Sequence, residues 1–326
     1  MRNWQWISSL LLALTFAVAV TYLAVPTASS QGVILVAKRM VGDLPVEDPN
    51  AAQWQQTQPI EVPLSAQIVA KPRWYETKIK SVTARALHND QQLAILLEWV
   101  DLTQDTRALK SEEFRDAAAI EFSLVDGKPF FCMGQQDGEV NIWHWKADWE
   151  ADLAGFQDLQ QVYAGMVWDY YPFSQAEPNV IAAAAQTEPI FITGWGAGSL
   201  LSNPERPATS VEDLNAGMFG TLTAQPAEGQ NVRGKGVYAD GAWRAIFYRD
   251  LTSPEADDMQ FEVGRFMPIA FAAWDGANGE RDGQKSVSSW YFLRLESPAS
   301  YTAYIAAVLA ILVVGGLEFV WLRRRT

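Results

Sequence analysis

Short apolar runs rich in branched and aromatic residues, punctuated by polar turn residues, recur through much of the chain, the pattern of β-strands. Ile79–Leu87 and Leu93–Val100 are two such runs, joined through His88-Asn89-Asp90 as a hairpin. Ala117–Leu124 and Lys128–Met133 flank Val125-Asp126-Gly127, and Gly236–Ala239 and Trp243–Arg249 flank Asp240-Gly241. Arg265–Trp274 and Ser286–Leu295 complete the set, with a Gly-rich loop from Asp275 to Gly283 between them. Short strands with turn residues between them predict an antiparallel β-sandwich. Helical stretches are few, at Asp148–Ala154 and Phe156–Tyr163. The segment from Ala183 to Gln230 has little periodicity and reads as long loops, of the kind that cover a ligand or partner.

Two hydrophobic ends bracket this region. Tyr301 to Leu317 carries no charge, and a helix over it spans about 26 Å. With Glu318 to Leu322 it makes a transmembrane helix over 301–322, followed by Arg323, Arg324 and Arg325 in a cytoplasmic tail, 323–326. Ile7 to Val25 is a second apolar run, closed by Pro26 and small residues. Residues 1–30 therefore read as a signal peptide or as an uncleaved N-terminal anchor. Either version puts the globular part outside the cytoplasm. Residues 31–58 read as an extended lead-in, and 59–297 as the β-sandwich domain.

Composition narrows the function. The net charge is -13, with no basic cluster in the globular part, which argues against nucleic acid. One cysteine, Cys132, excludes an internal disulfide, a four-Cys metal or iron–sulfur site and a Cys-x-x-Cys-His haem attachment. Two histidines, His88 and His144, exclude a three-His zinc centre. No phosphate loop or Gly-x-Ser-x-Gly elbow occurs, so no catalytic residue is assigned. Aromatic residues are dense, with 14 Trp, 10 Tyr and 15 Phe. They suit a large core, a flat hydrophobic cofactor slot, or a sugar-binding platform.

Several local motifs stand in a fixed order. Phe130-Phe131-Cys132-Met133-Gly134 precedes Asn141-Ile142-Trp143-His144-Trp145-Lys146. Gly234-Lys235-Gly236-Val237-Tyr238 is followed by Asp240-Gly241-Ala242-Trp243 and Arg249. Ile269 to Trp274 then runs into Asp275-Gly276-Ala277-Asn278, with Lys285, Ser286 and Trp290 behind it. Over about residues 58–296 the chain resembles the haem b-binding gamma subunits of type II enzymes in the dimethyl sulfoxide reductase family. That group includes subunits of ethylbenzene and dimethyl sulfide dehydrogenases, selenate and chlorate reductases, and relatives in nitrite oxidoreductases and nitrate reductases.

The resemblance implies one non-covalent b-type haem in a β-sandwich, held by an axial Met and an axial Lys. The matching positions are Met133 and Lys235. A Met ligand raises the haem potential, and a Lys ligand must donate as a neutral amine. Gly134 and Gly236 would let the backbone approach the porphyrin. His144 is the rival ligand, or a hydrogen-bonding neighbour of the haem, beside Trp143. Arg249 and Arg244 are candidates for the propionates. The implied role is electron relay without substrate turnover. Its partners would be a molybdenum catalytic alpha subunit, an iron–sulfur beta subunit and an external carrier, a cytochrome or the quinone pool. The competing reading is a membrane-tethered carbohydrate-binding module with no redox role.

Overall fold

This computed structural model describes residues 34–125, 127, 133–155, 162, 163, 165 and 209–298, with scattered positions between 305 and 324, and fourteen strands run through the described residues. In chain order they are β1 (Ile34–Arg39), β2 (Ile60–Pro63), β3 (Ser65–Ala66), β4 (Ser81–His88), β5 (Gln92–Val100), β6 (Ala117–Ser123) and β7 (Val140–Lys146). A short helix, α1 (Ala147–Ala154), follows. Then come β8 (Val211–Ala216), β9 (Thr223–Ala224), β10 (Arg233–Ala239), β11 (Ala242–Asp250), β12 (Phe266–Trp274), β13 (Ser286–Val287) and β14 (Tyr291–Leu295).

The strands hydrogen-bond along one path, β10-β11-β5-β4-β1-β14-β12-β6-β7-β8-β9. The path folds over on itself, because β10 lies against β7 and β8: Gly236 faces the Trp145 indole and Gly234 faces Val211. The inner faces of the two halves therefore share one core. Val82, Ala84 and Ala86 of β4, with Ile95, Leu97 and Trp99 of β5, meet Ile120 and Phe122 of β6 and Trp143 and Trp145 of β7. Aromatic edges interlock there, as between Phe122 and Trp143 at 4.8 Å and between Trp145 and Trp243 at 4.8 Å.

The sandwich is not wholly antiparallel. β1 lies within the sheet and pairs in parallel with both β4 and β14. The expected extended lead-in at 31–58 therefore supplies a strand that closes the two halves into one path. The expected single strand from Ser286 to Leu295 is two strands. β13 pairs with β12 and β3, whereas β14 pairs with β12 and β1. The region expected as loops contains β8, which pairs with β7. Met133 stands in a turn, and most of the expected strand Lys128–Met133 lies outside the described residues, as does most of the expected helix Phe156–Tyr163.

Residues 31–296 form one unit, and residues 1–30 with 297–326 form another. In the second unit Ile305, Val308, Ile311, Leu312 and Val320 have helical backbone and exposed side chains. Among the described residues no helix is long and apolar enough to cross a membrane. The N-terminal signal or anchor lies outside the described residues, as does much of the 301–322 span.

Candidate functional site

The outer faces of β6, β7, β8 and β12 are apolar where a solvated sheet face would be polar. Ala117 and Ala119, Val140 and Ile142, Leu214 and Ala216, and Ala272 and Trp274 form a second buried cluster there, with Met133 packed against it. The small side chains on β6 and β12 leave a depression on the sheet. Loops carrying Gln67 to Pro72, Phe114 and Arg115, Phe219 to Leu222, and Glu280 to Lys285 surround it. The resulting cavity has a volume of about 560 Å³. A second cavity of about 560 Å³ adjoins it, lined by Ile68, Val69, Ala270 and Val287. Each is the size of a small-molecule site. Met133 and Lys285 line both.

These two side chains meet. Lys285 Nζ lies 3.9 Å from Met133 Sδ, and it also stands 4.8 Å from the centre of the Trp274 ring. Gly134 fixes the chain beside Met133. Its φ is +72°, and a Cβ there would lie 2.7 Å from the Gly138 carbonyl oxygen and 2.8 Å from that of Ala216. Lys285 is held from the other side because Ser286, next to it, pairs with both Ala273 of β12 and Ala66 of β3.

His144 projects from β7 into the same cavity and lies against Trp274, ring centres 4.8 Å apart. Its Nε2 is buried and has no hydrogen-bond partner among the described residues. Burial, then the nearby charges of Lys146, Arg115 and Lys285, hold the imidazole well below its ordinary pKa, so it is neutral. Glu121 of β6 lines both cavities, and its Oε1 is likewise buried without a hydrogen-bond partner. Burial pushes its carboxyl up, and Lys285 opposes that shift.

The other expected site residues lie elsewhere. Lys235, on β10, forms an ion pair with Glu150 Oε1 at 3.2 Å, and its side chain is 40% exposed. It does not line the slot that holds Met133. The same Glu150 accepts hydrogen bonds from Gly236 N and the Trp145 indole, so the Gly-Lys-Gly run serves packing of β10 on α1 and β7. A Cβ at Gly236 would run into the Trp145 ring. Trp143 points into the sandwich core, against Phe122 and Phe261. Arg249 is buried there too, 3.1 Å from Asp258 and 3.9 Å from Asp213, with a hydrogen bond to the Met259 carbonyl. Arg244 pairs with Glu98 at 3.1 Å. Neither arginine lines the slot.

His88, at the hairpin turn, is buried, with its ring nitrogens 3.0 Å from the carbonyls of Asn89 and Glu296. Lys285 is the site residue that sequence reasoning passed over, although it stood in the last motif. The described tryptophans are buried or half-buried, so among them there is no exposed ring for a sugar platform.

Comparison with known proteins agrees on the kind of molecule. A family model described as ethylbenzene dehydrogenase matches residues 51–286. A putative respiratory nitrate reductase heme subunit of Haloferax mediterranei is 25% identical over 85% of this chain and 82% of its own length. Chlorate reductase subunit gamma of Ideonella dechloratans is 28% identical over 82% of this chain and 89% of its own. Dimethylsulfide dehydrogenase subunit gamma of Rhodovulum sulfidophilum is 26% identical, covering 68% of this chain and 63% of its own. Among solved structures, a family 9 carbohydrate-binding module from Caldicellulosiruptor kristjanssonii overlaps 82% of this chain and 97% of its own, at a TM-score of 0.38 and 8% identity, too loose a likeness to carry function.

Proposed function

The chain belongs to the ethylbenzene dehydrogenase family, and on that premise we propose that it is a non-catalytic electron-transfer subunit that binds one b-type haem in the slot on the outer face of β6, β7, β8 and β12. Met133 and Lys285 would be the residues that hold the haem iron in this reading, in place of the expected Met133 and Lys235. The observation that carries it is the meeting of these two side chains at the junction of two adjoining cavities.

The residues fit such a group. A soft thioether and an amine are both donors to haem iron. The alanine floor admits a flat macrocycle, and Trp274 and Phe271 supply apolar walls. When bound, the haem supplies a one-electron couple. The chain sets the surroundings of that couple. The Met thioether and the apolar walls favour a raised potential. Neutral His144 offers its unpartnered Nε2 within the slot. Arg115 and Arg281, which line the cavity, are the cations available to propionates.

Relatives described as a nitrate reductase heme subunit and as gamma subunits of chlorate reductase and dimethylsulfide dehydrogenase support a place in a multisubunit molybdenum oxidoreductase. The partners in this reading are a molybdenum catalytic subunit, an iron–sulfur subunit and an external carrier. The apolar segment 301–322 followed by Arg323, Arg324 and Arg325 would anchor the domain on the extracytoplasmic side of a membrane.

The test is spectroscopic. The purified full chain, supplied with haem, is expected to show a Soret band and to sharpen its visible bands on reduction with dithionite. A colourless protein after haem supplementation would refute the reading.

A further inference from the structure

Three aspartates converge at one end of the sandwich, away from the slot's ligands. Asp101 follows β5, Asp116 precedes β6 and Asp275 follows β12. One carboxylate oxygen from each lies within 4.8 Å of the others. The residues are 4%, 0% and 7% exposed. Asp105 stands beside them, its backbone N–H donating to Asp116 Oδ2 at 2.7 Å.

The hydrogen bonds here orient the carboxylates without saturating them. Asp116 accepts from Trp243 Nε1 at 2.9 Å, from Gly276 N at 2.9 Å and from Asp105 N. Asp275 accepts from Asn278 N at 3.0 Å. Asp101 Oδ1 accepts from Thr103 N and Oγ1, but its Oδ2 is buried and has no hydrogen-bond partner among the described residues. Asp105 Oδ2 is in the same condition. No cation stands among the main electrostatic influences on Asp101 or Asp116, and Lys78 bears only on Asp275.

Buried carboxylates without counter-charge are too costly to persist, so protons or a metal ion must neutralise them. Protons are a poor answer for Asp101. A protonated Oδ2 is a donor and needs an acceptor, yet Asp101 Oδ2 has no hydrogen-bond partner among the described residues.

We propose that Asp101, Asp116 and Asp275, with Asp105 at their side, hold one divalent cation of the calcium type. The donors are all hard oxygens, which select calcium or magnesium over transition metals. An ion with metal–oxygen distances of about 2.4 Å accommodates donors up to about 4.8 Å apart. Magnesium keeps several waters and favours one or two carboxylates, whereas calcium takes carboxylate-rich sites. Asp101 and Asp275 line a cavity of about 830 Å³ that gives the ion a way in.

The ion would act as a clamp. It ties the end of β5, in one half of the sandwich, to β6 and β12 in the other. Asp116 and Asp275 adjoin Ala117 and Trp274, which line the slot. The inference stands on the aspartate cluster alone and does not depend on what fills the slot.

The full chain, washed with chelator, would be titrated with calcium while its melting temperature and bound metal are followed. We expect one calcium per chain and a rise of roughly 5–10 °C at saturation. The Asp101→Asn/Asp275→Asn double variant should keep its fold, since two repelling charges are gone, and lose the calcium shift. Failure to bind calcium, or an equal shift in the double variant, would overturn the proposal. An equal shift from magnesium at the same concentration would overturn the assignment to calcium.

Discussion

Lys285 Nζ lies 3.9 Å from Met133 Sδ, although 152 positions of chain separate the two residues. The sheet order makes the meeting. Met133 lies in the connection between β6 and β7, β12 pairs with β6, and Lys285 leads into β13 on the other side of β12. Both side chains therefore arrive over the outer face of one half of the sandwich.

Gly134 keeps Met133 in place through its positive φ and its closeness to two carbonyl oxygens. Gly134→Ala is expected to cost about 1–3 kcal/mol and, by displacing Met133, to alter the haem spectrum or lose the haem. Thermal melts and absorption spectra on one preparation would check both. A destabilised variant with an unchanged spectrum would separate Met133 from the iron.

Gly236 predicts the opposite pairing of effects. A side chain there meets the Trp145 ring, so Gly236→Ala should destabilise by about 1–3 kcal/mol. Its haem spectrum should stay that of the wild type, because Trp145 is a core residue on the inner face of β7. Denaturant unfolding alongside haem titration measures the two outcomes.

A pH dependence of stability follows from the buried network on β8. One guanidinium, Arg249, faces two carboxylates, Asp213 and Asp258. Burial first, then the charge of Asp258, lifts Asp213 to about 8, while Arg249 works against the shift. The folded state thus holds a proton that the unfolded chain releases near its ordinary value of 3.8. The stability from this group is complete below about pH 4 and is lost as the pH rises towards about 8. Melting temperatures measured from pH 5 to 9 should fall with pH in the wild type and fall less in Asp213→Asn. Parallel curves would contradict this.

The membrane anchor has a plain test. A chain ending at Glu296, the last residue of the globular unit, should move from the membrane fraction to the soluble fraction. It should keep its haem band, because every residue of the slot precedes that point. Retention in washed membranes would point to another attachment.

The hairpins were legible because runs of branched and aromatic residues meet at turn residues, as around Asp240-Gly241 and His88-Asn89-Asp90. β8 was not, because its inward residues Asp213 and Asn215 are polar, Asp213 facing Asn141, Gln225 and Arg249 and Asn215 donating to the carbonyls of Val140 and Asp257, which inverts the pattern. β1 was not, because six residues near an apolar terminus carry little periodicity, and its parallel pairing depends on strands far along the chain. Met133 stood out beside its glycine. The choice between Lys235 and Lys285 was beyond local sequence, since both sit in Gly-containing stretches beside strands. Only the sheet order tells that one faces Glu150 and the other Met133.

The central claim is the identity of the lysine on the slot, and parallel spectra of two variants test it most directly. Haem-loaded Lys285→Ala and Lys235→Ala would be compared with the wild type in the oxidised and reduced states. We expect Lys285→Ala to lose haem or change its spectrum. Lys235→Ala should keep the wild-type spectrum and lose at most about 1 kcal/mol of stability, as befits a half-exposed ion pair. A wild-type spectrum in Lys285→Ala, with the change appearing in Lys235→Ala instead, would contradict the account.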